Sequence, residues 1–194
     1  MYIIKLWYMD DIEDFVIPNR DVIDAALSFY FKDKYKLLFG SFSDISRYLS
    51  GNRKQLNSKD FILDPPVEEK VPEADNNLLV NIYIVNVDMY IPGFNYIFAV
   101  THPGLRRIMI SLFRLSRKYN LIEYAEPEVV KERFFKELMH ELGHLVGLEH
   151  CNNPYCVMAF SPTLKDLDAK IPYPCERCLE KLSKLSMKIL SLDP

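Results

Sequence analysis

The stretch His140-Glu141-Leu142-Gly143-His144-Leu145-Val146-Gly147-Leu148-Glu149-His150 gathers three of the chain's four histidines around Glu141. An α-helix advances about 100° per residue, so His140 and His144 project from one face a turn apart and suit a shared metal ion. Glu141 follows the first histidine directly, placed to reach a metal-bound water from the side without being a ligand. A helix continued to His150 would point that residue away from the pair. Gly147 supplies the turn that brings it back, because glycine takes the positive φ of a helix C-terminus at little cost. Three imidazoles leave one tetrahedral position open, which is the ligand set of a catalytic zinc. The stretch makes a metal-dependent hydrolase the leading expectation.

The register of the helix supports this. Pro127 and Glu128 read as its start, and Val130, Phe134, Leu138, Leu142 and Leu145 form an apolar stripe at spacings of four and three. Glu141 is seven residues from Phe134 and falls inside that stripe, where a carboxylate is expensive to bury unless it is paired or near a metal. His140 and His144 continue the flank of Arg133 and Glu137. The alternative is an ordinary helix carrying two solvated histidines.

All four cysteines follow closely, as Cys151-x4-Cys156 and Cys175-x2-Cys178. Thiolate pairs at such spacings suit a closed tetrahedral zinc site that stabilises a fold without doing chemistry. One or two disulfides are the alternative. Residues 1–7 carry no basic n-region and read as a first strand rather than a signal peptide, so a reducing cytoplasm is expected, and it favours zinc.

The run from His140 to Cys151, then Cys156-Val157-Met158, Asp168-x-Lys170 and Cys175-x2-Cys178, resembles the archaemetzincins, a branch of the metzincin clan of zinc peptidases. Weaker similarity extends upstream through Asp88-Met89-Tyr90-Ile91-Pro92-Gly93-Phe94-Asn95-Tyr96-Ile97-Phe98 and Ser111-Leu112-Phe113-Arg114-Leu115. The resemblance implies a metzincin-like zincin fold with a mixed twisted sheet, an active-site helix and a C-terminal lobe stapled by a structural zinc. It makes His140, His144 and His150 ligands of a catalytic zinc, Glu141 the general base, and Met158 the methionine of the turn beneath the metal. Cys151, Cys156, Cys175 and Cys178 would hold a second zinc, giving two per chain. A flexible, polarisable methionine also suits an apolar floor under three imidazoles. The chain departs from the family at Ala99, where a glycine is expected after Phe98.

Composition is compatible with this reading. With 194 residues and 49% hydrophobic side chains there is ample material for one domain, expected as an N-terminal lobe of residues 1–147 and a C-terminal lobe of 148–194. A net charge of −3 argues against general nucleic-acid binding. No apolar run has the length of a membrane span. A cytoplasmic monomer acting on a peptide or protein is expected.

The coarse pattern is α+β. Residues 2–8 read as a strand, 20–31 as a helix, and 35–39 as a strand stopped by Gly40. Residues 43–49 read as a short helix and 64–77 as an exposed loop rich in proline and charge. Residues 78–87 are a β-branched run expected as a central strand, and 96–101 and 107–113 form a hairpin through Pro103-Gly104. An amphipathic helix marked by Leu179, Leu182, Ile189 and Leu192 closes the chain. The strand at 96–101 is the expected substrate rail, since an extended peptide can add to a free edge through backbone hydrogen bonds. His102 at its end reads as an exposed turn residue, and Tyr90, Phe94, Tyr96 and Phe98 read as core.

The expected chemistry is peptide hydrolysis by a zinc-bound water, with Glu141 taking the proton and returning it to the leaving amine. Two other classes compete: a catalytically weak or inactive zinc-bound peptide-binding module, and a zinc hydrolase acting on a non-peptide bond. Glu141 argues against the first, because a binding-only site has no chemical need for that carboxylate.

Overall fold

The computed structural model describes residues 1–67 and 78–190. Five strands form one sheet: β1 (Tyr2–Met9), β2 (Tyr35–Phe42), β3 (Leu78–Val85), β4 (Ala99–His102) and β5 (Arg107–Ser111), in the order β2-β1-β3-β5-β4. All neighbours are parallel except β4, which runs antiparallel to β5 at the edge. The sheet is therefore mixed, as an α+β fold of this class requires.

The β-branched run of β3 has its cause in burial on both faces. Ile82 and Ile84 join a core beneath the helices α1 (Arg20–Phe31) and α2 (Pro127–Leu145), together with Ile4, Leu6, Leu138 and Leu142. Tyr83 and Val85 face a second core closed by Phe61 and Met89. A strand covered on both sides has no reason to alternate. The first core continues into the C-terminal part of the chain through Cys156, Val157, Met158, Leu164 and Leu167. Its helices there are α3 (Leu164–Ala169) and α4 (Glu176–Leu190).

Several boundaries differ from the sequence reading. β2 runs through Gly40 to Phe42, because its parallel pairing with β1 continues through Trp7–Gly40 to Met9–Phe42. Residues 43–49 hold only a single 3-10 turn, Ser46–Tyr48, preceded by Asp44, whose carboxylate accepts from Ser46 N at 2.9 Å. That local bond competes with a longer helix. The rail strand starts at Ala99 rather than at residue 96, and Ser111 ends β5 by capping a one-turn helix, Leu112–Leu115. A short helix, Ser58–Leu63, was not anticipated; it covers the second core with Phe61 and Ile62. Of the expected loop at 64–77, residues 68–77 lie outside the described residues. Pro103–Leu105 joins the β4–β5 hairpin as expected. No described helix is long and apolar enough to cross a membrane.

Candidate metal centre and active-site cleft

α2 opens with Pro127 in its first turn, where the missing N–H has no intrahelical partner to lose. Phe134, Leu138 and Leu142 anchor it in the core with no exposed surface. The helix ends in a Schellman arrangement: Leu148 N donates to Gly143 O at 2.8 Å and Gly147 N to His144 O at 3.0 Å. Gly147 takes φ +96°, the conformation for which glycine is suited. The chain thus turns back, and His150 comes beside the helical pair, with ring centroids 4.5, 4.8 and 5.3 Å apart among the three histidines.

The histidines are oriented by backbone carbonyls. His140 Nδ1 lies 2.7 Å from Val157 O, and His144 Nδ1 lies 2.8 Å from Leu148 O. A carbonyl only accepts, so each Nδ1 carries the proton and each Nε2 presents a lone pair. Those two Nε2 atoms stand 3.0 Å apart. Burial holds all three imidazoles below their usual range, which keeps them neutral. Two converging lone pairs at this distance repel unless a cation lies between them, and a ligand atom from each of the three histidines falls within 4.8 Å of the others. The donor set therefore fits zinc, with imidazole nitrogens as ligands and the second ring nitrogen fixed by a carbonyl.

Met158 packs against α2 at Gly143 and has no exposed surface. A β-carbon at Gly143 would run into its sulfur, so the glycine inside the motif has a packing reason: it lets the methionine loop approach the helix. The loop is held from the other side by Lys170, which is 4% exposed and donates to Val157 O at 3.2 Å and to Ala159 O. In the sequence Lys170 stands in a motif from which no role for it can be read. Its only local signal is its place in Asp168-x-Lys170.

Glu141 is buried beside the histidines, as the apolar stripe predicts. Thr101 Oγ1 on β4 donates to Glu141 Oε2 at 2.5 Å. Burial, with the carboxylate of Glu137 adding to it, pushes the Glu141 carboxyl up to about 8. A bound zinc cation opposes that shift and favours the ionised form. Glu137 also lies in the cleft wall, buried, and burial raises it to about 7. The flank carrying Arg133 and Glu137 is thus interior rather than solvated. Arg133 makes a two-point ion pair with Asp168, 2.7 Å at each contact.

The cleft has a volume near 800 Å³ and runs between the β4 edge and α2, with Phe160, Ser161 and Pro162 forming the opposite wall. Phe94, Tyr96 and Phe98 line it. Phe98 is otherwise core, whereas Tyr96 donates its hydroxyl to Pro162 O at 2.7 Å and Phe94 is half exposed. Ala99 lies on β4 at the cleft. His102 accepts from Leu105 N at 3.2 Å and serves as a turn cap. Tyr155 and Tyr173 are exposed, and neither lines the cleft.

The four cysteines form a second cluster. Cys151 Sγ and Cys175 Sγ are 3.8 Å apart, Cys156 Sγ and Cys178 Sγ are 3.9 Å apart, and all four sulfurs lie within 4.8 Å of one another. A tetrahedron with metal–sulfur bonds of about 2.3 Å has edges of about 3.8 Å. Cys175 N donates to Cys156 Sγ at 3.2 Å, and the backbone N–H of Cys178 draws the Cys175 thiol down to about 7. Burial pushes the Cys156 and Cys178 thiols up. A metal cation would make four such thiolates compatible in one place.

Fold and site together define a peptidase scaffold with a helix-borne histidine pair, and the model of peptidase family M54 matches residues 72–184. The chain belongs to that family, whose members among its relatives are archaemetzincins. The archaemetzincin of Pyrococcus horikoshii is 42% identical over 176 residues, covering 86% of this chain and 89% of its own. The solved archaemetzincin of Methanopyrus kandleri superposes with a TM-score of 0.80 at 26% identity over 96% of both chains. A zinc-dependent peptidase from Methanocorpusculum labreanum superposes with a TM-score of 0.75 at 25% identity, covering 92% of this chain and 99% of its own.

Two substitutions test the geometry. Gly147→Ala forces a β-carbon into positive φ and should cost about 1 kcal/mol while weakening zinc binding at the histidines, read by chemical denaturation and by zinc titration. Unchanged values in both would deny the turn its role. Cys175→Ser should cost at least ~3 kcal/mol in reduced, zinc-loaded protein, because metal binding at a closed site is folding free energy. A variant that melts like the parent would exclude a structural metal there.

Proposed function

We propose that the chain is a working zinc-dependent peptidase in which His140, His144 and His150 hold the catalytic zinc and Glu141 is the general base. The observation that carries this is the Glu141 carboxylate, buried against three neutral imidazoles and gripped at one oxygen by Thr101, so that the other oxygen is left for the reaction. Zinc supplies Lewis acidity there, making a water acidic near pH ~7 and neutralising the charge that grows on a carbonyl oxygen. Glu141 accepts the proton of the attacking water and hands it to the leaving amine. The free edge of β4 lies across the cleft from α2 and gives an extended peptide a row of backbone partners. Met158 floors the site, and Val157 O and Leu148 O fix the two helical imidazoles.

Four thiolates at Cys151, Cys156, Cys175 and Cys178 hold a second, structural zinc, for two per chain. The reading takes residues 1–147 and 148–194 as two lobes of a single domain, supported by the core they share. It also takes the protein as a cytoplasmic monomer that acts on peptides or proteins without nucleic-acid or membrane partners, in keeping with its net charge of −3.

Native mass spectrometry of reduced, zinc-loaded protein should find two ions per chain, the one at the cysteines surviving longer against a chelator because that site has no open position. At most one tightly held ion would reject the two-site reading. Glu141→Gln keeps the shape and the ligands but removes the proton acceptor, so zinc should stay while peptide turnover falls ~10²–10⁴-fold. Unchanged hydrolysis by the zinc-loaded variant would sink this mechanism.

A further inference from the structure

Glu137 stands one helical turn before Glu141 on α2 and lines the same cleft. It is 5% exposed. Its neighbours on the helix settle their buried charges within the chain: Arg133 on Asp168, and Lys136 on Glu132 at 2.7 Å and Asp168 O at 3.0 Å. The Glu137 carboxylate has no hydrogen-bond donor and no ion-pair partner among the described residues. Lys170 also lines the cleft and its charge favours an ionised Glu137, but its ammonium donates to the carbonyls of Val157 and Ala159 and not to Glu137. A buried carboxylate left without a donor is costly, and an apolar residue of similar size would fill the space more cheaply. Here the donor has to come from what enters the cleft.

We propose that Glu137 is a specificity residue that receives the cationic side chain, arginine or lysine, of a substrate residue beside the scissile bond. This rests on the peptidase reading above. A carboxylate is an acceptor only, so it selects donors, and a guanidinium offers two parallel N–H bonds together with the opposite charge. An acidic side chain in the same place would face both Glu137 and Glu141 against the single ammonium of Lys170.

Reach separates a side chain from a free N-terminus. Four residues of helix put the two glutamates about 6 Å apart along the axis. The α-amine of a residue sits only about 2.5 Å from its own carbonyl carbon, which falls short when that carbon is held next to Glu141. The long stem of arginine or lysine covers the distance.

The test uses the zinc-loaded Glu141→Gln protein as a binding platform and calorimetry with two blocked pentapeptides: four alanines around a central arginine, and the same peptide with citrulline, its neutral isostere. The arginine peptide should bind at least ~10-fold more tightly, the scale of a hydrogen bond to a charged group. Adding Glu137→Gln should bring the ratio of the two Kd values below about twofold, whereas Glu137→Asp should keep a reduced preference. Equal Kd values on the first protein, or a preference that survives Glu137→Gln, would overturn the proposal. Should Glu137→Gln fail to fold, the first comparison and Glu137→Asp still decide. Wild-type enzyme that cleaves both peptides with equal kcat/KM would refute the role of Glu137 and leave the peptidase standing. A preference in binding with neither peptide cleaved would support Glu137 and count against the peptidase.

Discussion

The carbonyl oxygen of Val157 accepts from His140 Nδ1 at 2.7 Å and from Lys170 Nζ at 3.2 Å, and three parts of the molecule meet at that one atom. Through His140 it fixes the helix, through Lys170 it fixes the end of α3, and it belongs to the loop that carries Met158. The bond sets the direction of the imidazole, which the proposed role of His140 as a zinc ligand requires, because a ligand histidine is directed by what its other nitrogen does. The loop can come close because Gly143 leaves room for the Met158 sulfur, and it is held by the backbone bond from Cys151 N to Met158 O at 2.8 Å and by Lys170, which gives the carbonyls of Val157 and Ala159 a donor. The cysteine cluster brackets the segment in sequence, with Cys151 and Cys156 before it and Cys175 and Cys178 at the start of α4, and all four sulfurs lie within 4.8 Å of one another.

What is legible in the sequence is what depends on short separations. The four-residue spacing of His140 and His144, the turn at Gly147 and the two cysteine pairs each fix geometry within a few residues, so chain stereochemistry alone carries them. The stripe of Phe134, Leu138 and Leu142 likewise identified the face to which Glu141 belongs. Lys170, Thr101 and Glu137 had no such signal. Thr101 reaches Glu141 across 40 residues and Lys170 reaches Val157 across 13, and in both cases the partner is brought there by packing. Glu137 looked like part of a polar flank because charge usually marks a solvated face; here the C-terminal segment covers that flank, with Asp168 supplying the partner for Arg133.

Strand limits failed for a related reason. Gly40 and Ser41 carry weak local preference for a strand, and it is pairing with Trp7 and Tyr8 that holds them extended. At 43–49 the error ran the other way. A helical pattern of apolar residues was present, but Asp44 bonded the backbone two residues on and left a single turn.

A lysine buried beside the proposed zinc site looks unfavourable, since both would be cations, yet its effect on the imidazoles runs the other way. Burial is the larger cause of the low basicity of the three imidazoles, and the ammonium of Lys170 adds to it for each of them. A histidine must be neutral to bind a metal, so a nearby fixed cation disfavours the proton that would compete for Nε2. The cost of placing that cation there is offset by Glu137 and Glu141, whose charges favour protonated Lys170 while its own charge favours their ionised forms. Lys170 therefore acts on both halves of the proposed site at once: its charge favours neutral imidazoles, as zinc binding would require, and the ionised form of Glu141, as its proposed role as general base would require.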